Sequence, residues 1–129
     1  MTKKFEIYKC EICGNIVEMT HEGAGTLVCC GQPMTKMVEK STDAGNEKHL
    51  PVVEKAEHGT IIKIGSVPHP MEEQHYIEWI EAFNKDGKVV KVILKPGDKP
   101  ETHIGWGIES LTEVRAYCNV HGLWSKKLA

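Results

Sequence analysis

Four cysteines, Cys10, Cys13, Cys29 and Cys30, fall within the first 30 residues of the chain and constrain what that end can fold into. The segment from residue 1 to 37 is too short to bury the apolar area that would offset its conformational entropy, so a metal must supply the missing stability. Four thiols in two close pairs are the usual complement of one tetrahedral site. The stretch Cys10-Glu11-Ile12-Cys13 turns tightly enough for both thiolates to reach one ion, and Gly14 can follow at positive φ. Fifteen residues separate this knuckle from Cys29, which suits a second hairpin facing it. The adjacent pair Cys29-Cys30 cannot bind through a relaxed knuckle, so the tetrahedron should be distorted. Thiolates favour zinc or iron, and the spacing leaves both open.

The remaining length bounds the organisation. A chain of 129 residues holds one ordinary domain, or a very small one joined to a medium one. A hydrophobic content of 40% and a charged content of 26% are those of a soluble globular protein. The formal charge of -2 gives no reason to expect nucleic acid or an anionic membrane as partner. No apolar run approaches the roughly 20 residues of a membrane span, and Met1-Thr2-Lys3-Lys4-Phe5-Glu6 lacks the apolar region of a secretory signal. A cytoplasmic location is expected, where thiols stay reduced and Cys-x2-Cys reads as metal binding. An odd total of five cysteines agrees.

Short strands fill both parts. In the first, Phe5 to Tyr8 alternates, Ile16 to Met19 and Leu27-Val28 read as strands, Gly23 to Gly25 as a turn, and Gly31-Gln32-Pro33 closes the unit. A polar linker from Glu39 to Asn46 follows. Val52 to Lys55 and Thr60 to Ile64 then flank the turn signal His58-Gly59. Tyr76 to Phe83 and Lys88 to Leu94 flank the hairpin signal Asp86-Gly87. Two more strands are expected at Thr102 to Ile108 and Thr112 to Tyr117. Many short strands and no long amphipathic helix predict an antiparallel β-sandwich.

A second group of metal-ligating side chains lies in this larger part. His69 sits between Pro68 and Pro70, and His75 follows six residues later. On a strand those two would be about 20 Å apart, so they can share an ion only if the chain bends, as the flanking prolines allow. Cys118 and His121, followed by Gly122, can meet one ion from a single turn, and His49 stands between Lys48 and Leu50-Pro51. His21, His58 and His103 lie in loops without partners and read as ordinary surface or hydrogen-bonded side chains. Tyr76, Trp79 and Trp124 read as core or interface aromatics.

With these residues in view the sequence resembles desulfoferrodoxin, the two-iron class of superoxide reductases. The likeness rests on Tyr8-Lys9-Cys10-Glu11-Ile12-Cys13-Gly14-Asn15, Cys29-Cys30-Gly31, Glu47-Lys48-His49, His69-Pro70-Met71-Glu72, His75-Tyr76-Ile77 and Cys118-Asn119-Val120-His121-Gly122, and covers nearly the whole chain. It implies a mainly β protein: a desulforedoxin-like four-cysteine domain over 1–37, then an immunoglobulin-like sandwich over 38–129. Cys10, Cys13, Cys29 and Cys30 would hold one iron. His49, His69, His75 and His121 would surround a second iron in a plane, with Cys118 as axial thiolate and the last position open. The resemblance further implies a homodimer fed by a small carrier such as rubredoxin.

The implied reaction is superoxide plus one electron plus two protons giving hydrogen peroxide, without dioxygen. Four neutral imidazoles and one thiolate on ferrous iron leave a local charge of about +1, so an anion can approach. Lys48, a solvated loop lysine by composition alone, would steer superoxide inward and organise a proton-delivering water. Glu47 would close the oxidised site with its carboxylate. Ring orientation requires partners beyond the ligands, either backbone carbonyls or Glu72 and Glu73. Two other readings compete: a pure electron carrier using only the four-cysteine iron, and a zinc-stabilised interaction module. Five candidate ligands in the second group exceed what a closed zinc site uses, which disfavours the module.

Overall fold

A computed structural model describes residues 1–42 and 48–128. The chain divides into two compact units, Met1–Val38 and Glu39–Ala129. Among the described residues no helix is long and apolar enough to cross a membrane.

The first unit is built from two small sheets. Strand β1 (Ile7–Lys9) lies between β2 (Ile16–Glu18) and β5 (Thr35–Lys36), while β3 (Val28–Cys29) pairs with β4 (Gln32–Pro33). All pairings are antiparallel. Of its hydrophobic side chains only Ile7 and Cys10 are buried, whereas Ile12, Val17 and Val28 are exposed. This unit has almost no apolar core, as its length requires.

The second unit is a sandwich of two antiparallel sheets. One has the order β10-β7-β6, from β6 (Pro51–Lys55), β7 (Thr60–Ile64) and β10 (Glu101–Ile104). The other has the order β12-β11-β8-β9, from β8 (Ile77–Asn84), β9 (Val89–Ile93), β11 (Leu111–Cys118) and β12 (Gly122–Lys127). Taken in chain order, strands one, two and five form one sheet and strands three, four, six and seven the other. That is the immunoglobulin arrangement with its fourth strand moved onto the opposite sheet. Ile62, Ile64 and Ile104 meet Ile77, Ile80, Ala82, Leu111, Val114 and Ala116 between the sheets. Along β11 the pairing with β8 slips twice, between Leu111 and Glu113 and between Tyr117 and Cys118. The second slip pairs Cys118 with Ile77 and leaves Glu78 extra, so both Ile77 and Ile80 point into the core.

Strand β7 forms where expected because Thr60, Ile62 and Ile64 alternate inward along it. Two departures stand out. The expected strand from Thr102 to Ile108 stops at Ile104, and a 3-10 turn occupies Ile108–Ser110. Strand β12 was not foreseen, since Gly-Leu-Trp-Ser-Lys-Lys has no β-branched residue. The expected linker is also partly structured. Lys40 bridges Trp124 of β12, and Glu39 accepts a hydrogen bond from Arg115 at 3.0 Å.

Candidate metal centres

The first cluster is assembled by two turns. The Cys10 carbonyl accepts from Gly14 N–H at 2.9 Å, Cys10 N–H donates to Asn15 O at 2.8 Å, and Gly14 takes φ +84°. That fold aims backbone at sulfur: Cys13 N–H and Asn15 N–H reach the sulfurs of Cys10 and Cys13, each at 3.5 Å. Cys30 adopts φ +54°, a left-handed conformation rare for a side-chain-bearing residue. The adjacent pair requires it, since an extended backbone would send successive side chains to opposite faces. The donor sulfurs of Cys10, Cys13, Cys29 and Cys30 all lie within 4.8 Å of one another. The Cys13 backbone N–H holds the Cys10 thiol down at about 6. Cys13 and Cys10 push the Cys30 thiol up to about 12. Crowded thiols with one thiolate among them are a donor set that a cation completes.

The second cluster lies at one end of the sandwich. Cys118 ends β11, fully buried, and pairs with Gly122 at the start of β12. The three residues between them form the hairpin loop, which Gly122 closes at φ +86°. That loop turns His121 N–H onto the Cys118 sulfur at 3.4 Å and brings its Nδ1 within 3.7 Å of it. His69 Nδ1 lies 2.7 Å from the Pro70 carbonyl. A carbonyl only accepts, so Nδ1 carries the proton and Nε2 presents a lone pair. His49 precedes β6 and places Nε2 3.0 Å from His121 Nδ1.

The four rings form a closed cycle. Centroids are 4.8 Å apart from His49 to His69, 4.8 Å from His69 to His75, 5.0 Å from His75 to His121 and 4.7 Å from His121 to His49. Each pair meets edge to face, at 67° to 82°. The donor atoms of His49, His75, Cys118 and His121 lie within 4.8 Å of one another, and His69 joins them through its ring contacts. Burial lowers the pKa of His75 and brings that of His69 to about 4, keeping both rings neutral.

A cation accounts for this arrangement and hydrogen bonding does not. Among the described residues, Nε2 of His69 and of His75 are buried without a hydrogen-bond partner, a costly state for a polar atom unless an ion takes the lone pair. Two imidazole nitrogens cis on one ion at about 2.1 Å stand roughly 3 Å apart, which matches His49 and His121. Five donors of mixed nitrogen and sulfur type suit iron better than a closed tetrahedral zinc site.

The surroundings add residues that the sequence did not assign to the site. Trp124, expected only as a core or interface aromatic, stacks on His49 at 4.5 Å and 15°. Lys40 donates to the His121 carbonyl at 2.7 Å and stands 5.2 Å from the centre of the Trp124 ring. Gly65 packs under the backbone of Lys48. Each acts across a long sequence separation and had no local signal. Of the expected ring-orienting partners, a backbone carbonyl (Pro70) serves His69, while Glu72 meets His75 through paired backbone hydrogen bonds at 3.0 Å. Lys48 is half-buried, and its charge bears on His75. Glu47 lies outside the described residues.

An all-thiolate cluster on a small β unit and a cluster of four imidazoles with one thiolate on a sandwich define a β protein with two unlike iron centres. Residues 2–37 match the family model for the desulfoferrodoxin N-terminal domain, and residues 41–127 match that for desulfoferrodoxin. The chain belongs to the desulfoferrodoxin family. It is 55% identical over 127 residues to a desulfoferrodoxin of Syntrophotalea carbinolica, covering 98% of this chain and 99% of that one. A superoxide reductase of Pyrococcus abyssi is 32% identical over 112 residues, covering 74% of this chain and 97% of its own. Among solved structures, superoxide reductase from Treponema pallidum superposes with a TM-score of 0.76 at 26% identity, over 98% of this chain and 100% of that one.

Proposed function

We propose that this protein is a superoxide reductase whose substrate meets the iron held by His49, His69, His75, His121 and Cys118. Cys10, Cys13, Cys29 and Cys30 hold the other iron. The observation that carries the reading is the closed cycle of four imidazole rings beside the buried Cys118 sulfur, with the Nε2 atoms of His69 and His75 lacking any other partner among the described residues. His49, His69, His75, His121 and Cys118 would hold the ion, and ferrous iron bound there would supply the one electron that, with two protons, converts superoxide to hydrogen peroxide.

The chain's own residues set the conditions. Burial keeps His69 and His75 unprotonated near neutral pH, so their lone pairs stay available. Complete burial of Cys118 shields its sulfur from oxidants in solvent. Lys48, next to His49 in the chain and acting on His75 through its charge, adds positive charge to the cluster, which attracts an anion and orders a proton-donating water. Glu47, next to Lys48 in sequence, is assigned the carboxylate that closes the oxidised site. The resemblance further supports a small one-electron donor of the rubredoxin kind, a homodimer, a cytoplasmic location and a division into domains at 37/38.

The test is a pulse of superoxide against the ferrous protein. One hydrogen peroxide per superoxide and no dioxygen is the expected yield. Lys48→Ala should slow the second-order rate by about tenfold and flatten its salt dependence. A ferrous protein that leaves superoxide unconsumed would overturn the reading and favour a carrier that uses only the four-cysteine iron.

A further inference from the structure

The hairpin loop that carries His121 also holds Asn119, whose side chain is committed to a different ligand. Asn119 Oδ1 accepts the backbone N–H of Tyr76 at 2.9 Å, and Nδ2 donates to the Gln74 carbonyl at 3.1 Å. Its backbone N–H reaches the Tyr76 carbonyl at 3.2 Å. One residue thus makes three hydrogen bonds to the neighbours of His75 on either side, 43 to 45 positions away in sequence.

His75 depends on this more than the other rings do. The Pro70 carbonyl fixes the His69 ring directly, and Trp124 lies flat on the His49 ring. Among the described residues nothing hydrogen-bonds the His75 ring, so its aim is set through its backbone. Glu72 holds that backbone from one side by two hydrogen bonds of 3.0 Å, and Asn119 holds its neighbours from the other.

We propose that Asn119 is the positioning residue that keeps His75 in the iron site, locking residues 74–76 to the loop that bears Cys118 and His121. Three donors from two distant segments then move as one body, and His75 does not swing out when the ion changes charge. The inference rests on the assignment of His75, Cys118 and His121 to one iron. Residues behind metal ligands typically alter metal affinity by about 10–100-fold when lost.

The experiment uses the two-iron protein and reads iron transfer to a ferrous chelator, together with the electron paramagnetic resonance spectrum of the ferric form. Asn84→Ala is the control: Asn84 Oδ1 likewise accepts two backbone N–H groups, from Asp86 and Lys88, in the hairpin turn between β8 and β9. Both alanine variants should lower the melting temperature. Only Asn119→Ala should speed iron release from the histidine site, by about 10–100-fold, and change its ferric spectrum. Asn119→Asp keeps an acceptor for Tyr76 N–H but loses the donor to Gln74, and should fall between. Release within twofold of wild type, or equal acceleration in Asn84→Ala, overturns the proposal. If Asn119→Ala does not fold, a wild-type release rate in Asn119→Asp overturns it. A wild-type protein with no iron in the histidine site would instead overturn the function proposed above.

Discussion

Replacing Gly65 with alanine should damage the site through backbone alone. Gly65 follows β7 at φ +85°, and its N–H donates to the Leu50 carbonyl at 3.0 Å. A Cβ built there would clash most closely with the Val67 carbonyl oxygen, and would lie 2.6 Å from the Lys48 carbonyl oxygen and 2.7 Å from Lys48 Cα. Ordinary contact begins near 3.4 Å, so the backbone at Val67, which leads to His69, and the segment bearing Lys48 and His49 must both give way, the latter by about 0.7 Å or more. The left-handed backbone costs alanine about 1–2 kcal/mol, and overpacking against rigid backbone adds about 1–3 kcal/mol. The sum, about 2–5 kcal/mol, is within what a domain can lose and still fold. A displacement of about an ångström near a reacting centre can lower a rate by about 10²-fold. Two controls separate the causes. Gly87 has φ +76° with nothing within 4 Å of a Cβ, so Gly87→Ala should show only the backbone cost. Gly59 combines φ +83° with a clash against the Ile104 carbonyl, in the β6–β7 turn at the opposite end of those strands from His49 and Gly65. Gly59→Ala should therefore lose stability and keep the superoxide rate of its folded fraction. Chemical denaturation and pulse radiolysis supply the two measurements. If Gly65→Ala is no less stable than Gly87→Ala and reduces superoxide at the wild-type rate, the argument is wrong.

Other outcomes follow from the same geometry. Arg115 donates to Glu81 at 2.7 Å with both side chains almost fully buried, so Arg115→Met should cost about 3–5 kcal/mol, because the carboxylate loses its nearest cation and is left to the more distant Lys91 at 3.9 Å. Arg115→Met with Glu81→Leu should recover most of that in urea denaturation, and a double variant no more stable than the single one would contradict it. The hydrogen bond from Lys36, helped by Lys3 N–H and Tyr8 O–H, holds the Glu6 pKa at about 2. A depressed carboxylate stabilises the folded state fully above its ordinary pKa of 4.5 and loses that contribution as pH falls toward 2. The stability gap between wild type and Glu6→Gln should therefore be largest above pH 4.5 and close toward pH 2, and a gap independent of pH would refute this. Cys118→Ser should abolish the thiolate-to-iron band of the oxidised histidine site and spare the tetrathiolate bands. Cys30→Ser should do the reverse, and loss of both sets together in either variant would show that the centres are not separate.

Much of this protein was legible from residue order because the informative signals are local. Cys10 and Cys13 share a turn, Cys118 and His121 share a hairpin loop, and β7 alternates side by side with its own neighbours. Strand β12 escaped notice because it gains its place from pairing with β11, residue for residue from Glu113 opposite Lys127 to Cys118 opposite Gly122. Its own composition carries little preference for a strand.

The kinds of donor, their number and the bends that let them converge are properties of the sequence, since ligand chemistry and turn chemistry depend on residue type. Tertiary structure alone decided which lone pair each ring presents and what holds it there. The Pro70 carbonyl selects Nε2 of His69, Trp124 lies over His49 from 75 positions away, and Asn119 grips both neighbours of His75. Gly65 shows the same division. As one glycine among 12 it carried no signal, and its positive φ together with the Lys48 and Val67 backbone folded against it makes any other residue costly. Orientation and close approach arise between segments far apart in the chain, and no local pattern encodes a distance across the fold.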